Sequence, residues 1–316
     1  MLTHLDELET WRAERGHIAG TWASLTGSAS VTCGAKRILV DAGRWSTPAH
    51  VEGAEEELFY VLAGSGLLWQ DGACYAVAAG DCLFHGPGRE AHTLLAGDEG
   101  LDVLAFGHRA YVGSAYLPRA GVSWLGPSWT RSGAAKDHPW SREAEVGPPE
   151  VGEPQPRPAT IVAESAVEGD RDGGFKRLGH AAGARRSGLN LVRLRPGEEG
   201  APPHCHSAEE EIFVVLEGGG TVELQPSPLR AEFGVAYEEH PLRAGHVLVR
   251  PPGTGVAHLL RAGDDGMTYL AYGTREPNDI CYYPRSNKVA FRGVGLIGRF
   301  EPLSYADGEP AEDVKE

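Results

Sequence analysis

Four residues in the second half of the chain have the types and spacing of a metal-binding set: His204, His206, Glu211 and His258. His204 and His206 stand two residues apart, so on a strand both imidazoles point to one face. Glu211 opens a β-branched and aromatic run that ends in Gly218-Gly219-Gly220, the pattern of a second strand and its turn. His258 follows a further strand, Val247 to Arg250, punctuated by Pro251-Pro252-Gly253. Three neutral imidazoles and a carboxylate make a mixed nitrogen/oxygen site for a divalent first-row metal, with positions left for water or a small molecule. Such an ion would polarise a substrate oxygen, acidify bound water or, if redox-active, exchange electrons. A lone His-X-His pair is as easily a polar surface loop.

The pattern occurs twice. His50, Glu52, Glu57 and Gly64 fall on His204, His206, Glu211 and Gly218 at an offset of 154 (204 minus 50). Gly80 matches Gly245 at 165 and His92 matches His258 at 166; Gly107, Arg109, Tyr116, Pro118 and Arg119 match Gly273, Arg275, Tyr282, Pro284 and Arg285, again at 166. Self-similarity at this scale means two like domains. The first-half set, His50, Glu52, Glu57 and His92, has two carboxylates and two imidazoles, a harder group suited to manganese, iron or magnesium. A decayed site in a domain kept for packing is the competing reading.

The order of these residues resembles the two motifs of the cupin superfamily, G-x5-H-x-H-x3,4-E-x6-G and G-x5-P-x-G-x2-H-x3-N. Gly197, His204, His206, Glu211 and Gly218 fit the first motif with one extra residue before His204. Gly245, Pro251, Gly253 and His258 fit the second, with two extra residues before the histidine and Ala262 in place of asparagine. The first half departs further: Glu52 replaces a histidine, Gly86 the proline and Ala96 the asparagine. The stretch Gly273 to Ile280, followed by Tyr283-Pro284, is similar to a group of bacterial two-domain cupins. The resemblance implies an all-β chain of two tandem cupin barrels (double-stranded β-helix, jelly-roll-like) with short flanking helices. It implies one or two divalent metal ions (iron, manganese, nickel, zinc or copper) on the ligand sets above. Members of the superfamily include dioxygenases, decarboxylases, isomerases and hydrolases, so the fold does not choose the reaction.

Composition sets the bounds. At 316 residues there is room for two domains, each with its own core. Forty-three glycines and 22 prolines suit short strands and tight turns. A formal charge of −15 argues against a nucleic-acid or anionic-membrane partner, either of which needs a basic face. Five cysteines without a C-x-x-C pair suit a reducing cytoplasm, and no signal peptide or membrane-spanning apolar stretch is evident, so a cytoplasmic location is expected. The expected partner is a small-molecule ligand or substrate; a homo-oligomer is compatible with the sequence.

The elements that must position the site are short strands separated by Gly/Asp/Pro turns, as expected of antiparallel sheets rolled into barrels. Leu5, Leu8 and Trp11 at helical spacing predict an amphipathic helix over residues 3 to 15. The first domain is expected over 1–126, a Pro-rich linker over 127–158 with Trp129 and Trp140 pinned to a surface, the second domain over 159–300, and an acidic disordered tail over 301–316. Fifteen residues separate Gly64 from Gly80 but 26 separate Gly218 from Gly245, so an insertion of 11 lies near residues 225–241, read as a longer hairpin. On its strand Cys205 points away from the flanking histidines and reads as structural. Arg250 and Arg261 could grip a substrate carboxylate; as loop arginines they are more simply solvated.

Three functions fit: a metal-dependent enzyme (dioxygenase-like, or another oxidoreductase or lyase) on a small oxygen-rich molecule, a small-ligand binder or sensor, and a storage protein. The intact ligand set in the second half weighs against the last, and no catalytic residue is assigned beyond the metal ligands.

Overall fold

The structure is a computed structural model that describes residues 1–110, 113–125, 128–130, 139–170, 172–301, 303 and 307–308. Each half folds into a barrel of two sheets. The larger sheet of the first barrel runs, in spatial order, Ile161–Ala163, Asp81–His85, Glu57–Gln70, His92–His108, Cys33–Val40, Ile18–Ser24 and Thr10–Arg15. Its smaller sheet joins Val51–Glu52 to Ser114–Leu117, Val122–Leu125 and Ser128–Thr130. The second barrel repeats the plan with Leu2–His4, His246–Arg250, Glu211–Pro226, Val256–Thr274, Ser187–Leu194, Phe175–Lys176 and Gly169–Asp170 in the larger sheet. Cys205–His206, Ile280–Tyr283, Lys288–Phe291 and Leu296–Arg299 form the smaller one. The expected all-β architecture of two barrels is what forms.

The ligand-bearing strands are long and must fold over. Register shifts interrupt the pairing of Glu57–Gln70 with His92–His108 at Gly64/Gly66 and that of Glu211–Pro226 with Val256–Thr274 at Gly218/Gly220. Gly64 and Gly218 have φ of 83° and 67°, and a Cβ on either would stand 2.3 and 2.2 Å from the carbonyl oxygens of Gly100 and Gly266. Only glycine permits that approach, which is why both motifs end on it.

Each barrel has an interior core, with Val61, Leu68, Leu83 and Val103 in the first and Phe213, Val215, Leu248 and Tyr269 in the second. A third core lies between the barrels, where Leu58, Tyr60, Leu104 and Phe106 meet Leu189, Ile212, Val214 and Tyr272. Strand alternation sends one face of each larger sheet inward and the other to its neighbour.

The first residues depart from the expected helix. Leu2–His4 is a strand, Leu5–Glu7 a single 3-10 turn and Thr10–Arg15 another strand. The helical spacing of Leu5, Leu8 and Trp11 is coincidental: Leu5 and Leu8 pack on the core between the barrels, while Trp11 stays largely exposed on an edge strand. Leu2–His4 pairs with His246–Arg250 of the second barrel, while Ile161–Ala163, beyond the proline-rich stretch, pairs with Asp81–His85 of the first. The two halves thus exchange edge strands. Within the expected linker Pro139–Val146 is helical, with Trp140 against Trp22 (ring centroids 5.5 Å apart) and Glu143 fully buried, 2.7 Å from the Arg119 guanidinium. The side chain of Trp129 and most of the 301–316 tail lie outside the described residues. The insertion is a hairpin between Glu211–Pro226 and Glu238–Arg243, with the short helix Pro228–Glu232 at its tip.

Candidate metal centres

In the second barrel three imidazoles converge on one carboxylate oxygen. Glu211 Oε2 lies 3.1 Å from His258 Nε2, 3.5 Å from His206 Nε2 and 3.7 Å from His204 Nε2. Ligand atoms about 2.1 Å from a shared ion stand roughly 3 to 3.5 Å apart in neighbouring positions; His204, Glu211 and His258 cluster closely enough to share one, and His206 reaches the same oxygen from the side of Glu209 and Asp279. Glu211 Oε2, His206 Nε2 and His258 Nε2 are buried with no hydrogen-bond partner in the protein. Buried polar atoms left unpaired are costly, and a cation at their common point satisfies all of them; the residues fit the metal that the motifs imply.

The tautomers are set from behind. His204 Nδ1 lies 2.7 Å from the Pro202 carbonyl and His206 Nδ1 2.7 Å from Asp279 Oδ2. Both partners only accept, so each Nδ1 carries the proton and each Nε2 turns a lone pair to the centre. Asp279 is almost fully buried, and its Oδ1 accepts from the amides of Ala208 and Glu209. Burial would raise the Asp279 carboxyl, but the bond from His206 and those amides hold it down at about 2. Burial lowers His206 too, yet the Asp279 bond and the Glu211 charge leave its pKa raised. Burial takes His258 to about 4 against the pull of Glu211. Burial would raise Glu211, but His258 at 3.1 Å and the charges of the surrounding histidines leave it lowered.

The first barrel assembles three of its four predicted residues. His92 Nε2 is 3.1 Å and His50 Nε2 3.6 Å from Glu57 Oε2, and these three cluster closely enough to share an ion. The Nδ1 atoms of His50 and His92 face the Pro48 and Glu90 carbonyls, the first as His204 faces Pro202 in the other barrel. Glu52 lines the same cavity but is not part of the three-residue cluster. It sits on the two-residue strand Val51–Glu52, and burial together with the Glu57 charge raises its carboxyl to about 7. The position corresponding to Asp279, 166 residues earlier, is Gly113, so the support that holds His206 is missing where Glu52 replaces it.

Sequence reasoning missed three residues here. Asp279 acts from 73 residues beyond His206, within the stretch singled out for its resemblance alone. Arg250 is no solvated loop residue: it pairs across the sheet with Glu211, donates through Nη2 to the Val256 carbonyl at 2.6 Å, and has a buried, unpartnered Nε. His85 holds the matching position opposite Glu57 and is 6% exposed, with both ring nitrogens unpartnered. Because the repeat sets histidine against arginine there, comparing the halves concealed both. Arg261 bridges Glu199 and Glu223 at the surface, and Cys205 is buried, its thiol raised by burial, as its structural reading requires.

Two barrels, each with imidazoles and a carboxylate gathered inside, define a metal-site scaffold of the cupin type. The chain is a two-domain cupin: the family model described as "Cupin domain" matches residues 36–107 and again 190–271. Among solved structures it is similar to oxalate decarboxylase of Bacillus subtilis, described for its Mn(II) centres, at 16% identity and TM-score 0.59 over 88% of this chain and 78% of that one. It is also similar to Lactobacillus farciminis oxalate decarboxylase in complex with formate, at 16% identity and TM-score 0.58 over 87% and 86%. At that identity the likeness is one of fold. Comparison with curated protein sequences finds none that matches. Among the described residues no helix is long and apolar enough to cross a membrane.

Proposed function

We propose that this bicupin is a metal-dependent enzyme acting on a small oxygen-rich molecule, with a divalent ion held by His204, His206, Glu211 and His258. A second, more weakly held ion belongs to His50, Glu57 and His92, with Glu52 beside them. The observation that carries the reading is the convergence of three Nε2 atoms on the buried, unpartnered Glu211 Oε2. The ion would supply Lewis-acid polarisation of a bound oxygen and, with manganese or iron, redox chemistry. The chain does the rest. Pro202 and Asp279 fix the imidazoles, and Arg250 faces the second-barrel cavity with a free Nε–H able to donate to an anionic oxygen there.

The similar folds of manganese-containing oxalate decarboxylases make manganese the first ion to test, and oxalate one substrate among several. The experiment is elemental analysis of the purified protein and of the His204→Ala/His206→Ala variant. Oxygen-consumption and CO2-release screens over oxalate, hydroxy acids, keto acids and catechols follow. Metal lost in the variant together with turnover in the wild type supports the reading. A folded protein that takes up no metal overturns it, and metal without any turnover leaves a binding protein in its place.

A further inference from the structure

The two barrels have unequal room. The cavity at the second-barrel cluster measures about 10 Å³, roughly the space for one water molecule. The cavity of the first barrel measures about 220 Å³ and reaches from Glu57 and His92 out to Trp22 and Trp140. A dry cavity of about 150 Å³ accommodates benzene, so this one has room for a substituted ring.

Side chains at matching positions also differ in size. Where the second barrel has Tyr269, packed against Phe213 at 6.0 Å, the first has Val103, each paired between corresponding strands. Where the second has Tyr283, lying over His204 at 5.8 Å, the first has Leu117, again 166 residues earlier. Arg250 gives way to His85. Of the three pairs, His85 lines the larger chamber and Arg250 the smaller one, while the two tyrosines pack on Phe213 and His204 in the second barrel.

His85 is the polar group at the inner end of that chamber. Its ring is stacked on His92, centroids 3.6 Å apart and planes within 1°. An imidazole donates in its own plane. An ion in the plane of His92 therefore lies well off the plane of His85, and His85 is not a further ligand to it. Both ring nitrogens of His85 are buried without a partner in the protein. A neutral imidazole offers one donor and one acceptor, the complement of a hydroxyl group. The apolar part of the wall includes Trp11, Trp22, Phe59, Leu94 and Trp140, beside the hydroxyls of Ser46, Thr47 and Thr93, and among the described residues of the lining Lys36 is the one lysine or arginine, offset by Glu52 and Glu57. A small dianion finds little there; a flat apolar ring finds faces to lie against.

The geometry points to the first barrel as the binding chamber for a hydroxylated aromatic molecule, its ring among Trp22, Phe59 and Trp140 and its hydroxyl on His85 beside the His50–Glu57–His92 cluster. This rests on the proposed metal-dependent function only in placing an ion at that cluster.

The test uses full-length protein loaded with Mn2+ and, in parallel, stripped of metal, titrated with catechol by tryptophan fluorescence and calorimetry. One saturable site per chain is expected, with no competition from oxalate. Ala105→Phe, which fills the chamber from its wall, and His85→Phe, which keeps the stack but cannot hydrogen-bond, should each weaken catechol at least tenfold with metal content unchanged. Trp140→Ala, on the helix Pro139–Val146 at the rim, should weaken it several-fold and serves if the interior variants unfold. Binding unchanged in the chamber variants, or lost only in the second-barrel variant Glu211→Gln, overturns the assignment. Absence of metal uptake would instead count against the enzyme reading, since the metal-free titration still reports on the chamber.

Discussion

Glu56 and Glu210 hold matching positions in the two barrels, and each is buried against the backbone of the other. Glu56 accepts from the amides of Arg185, Arg186 and Ser187 and from the Ser187 hydroxyl; Glu210 accepts from the amides of Val31 and Thr32 and from the Thr32 hydroxyl. Each precedes a metal-site carboxylate by one residue. Strand alternation therefore turns Glu57 and Glu211 into their own barrels and Glu56 and Glu210 out across the interface. In the runs Glu55-Glu56-Glu57 and Glu209-Glu210-Glu211 the middle acid ties the barrels together, and the first braces a neighbouring loop at the amide of Ala110 or Glu276.

Glu210→Ala would leave three part-buried donors without this acceptor. A loss of about 3 kcal/mol is expected from orphaned donors of a charge-assisted cluster. Denaturant unfolding measures it, and Glu210→Gln should lose less. A change below ~0.5 kcal/mol for Glu210→Ala would mean that the interface core alone holds the barrels.

The exchanged strand gives a second prediction. Leu2–His4 covers the edge strand His246–Arg250, with Leu5 N donating to the Gly245 carbonyl and His4 Nε2 2.8 Å from the Ala244 carbonyl. Deleting residues 1–5 should destabilise the second barrel by about 3 kcal/mol, the sum of two half-buried leucines, Leu2 and Leu5, and several hydrogen bonds. Hydrogen exchange at Val247 to Val249 should rise before that of the first barrel. Unchanged protection there would show that the edge needs no cover.

His17 supplies a pH dependence away from both metal clusters. Burial first, then the charges of Arg119 and Arg44, lower its pKa to about 4 from the ordinary 6.5. The unfolded chain thus binds more protons than the folded one between those values, and stability falls as pH drops through that window. Glu143, 3.9 Å away and raised by burial, shifts stability in the opposite sense, so the comparison must isolate His17. The Tm of His17→Gln should gain on the wild type as pH falls from 6.5 to 4. A constant gap at pH 7.5 and 4.5 would remove His17 as the cause.

What could be read from the sequence was whatever depends on short spacing. His204 and His206 share a face because strands alternate, and the glycines after each ligand strand mark a fold-over that no other residue allows. The duplication exposed the first-barrel cluster. The sequence did not disclose what acts across distance. Asp279 meets His206 only once Ile280–Tyr283 lies beside Cys205–His206, and the first five residues take their conformation from the other barrel's edge. Glu52 was placed by analogy with His206; the site corresponding to Asp279 is a glycine, and Glu52 lines the cavity outside the cluster.

That asymmetry yields the last prediction. Asp279 accepts a hydrogen bond from His206 Nδ1–H and is locked by the amides of Ala208 and Glu209. Asp279→Asn keeps the size but removes the charge that makes His206 a stronger ligand, and it turns an NH2 group toward an N–H donor. Loss of such a partner typically costs about 10- to 100-fold in metal affinity. The expected result is that Mn2+ titration of Asp279→Asn shows the tighter of two sites weakened by that factor and the weaker one unchanged, because Gly113 gives the first barrel no such support to lose. Exchanging His206 for glutamate in the same variant should bring the second barrel close to the first in affinity. Equal Mn2+ affinity in wild type and Asp279→Asn, at equal Tm, would show that His206 either holds its orientation unaided or lies outside the coordination shell. The His204→Ala and His206→Ala single variants then separate those two outcomes.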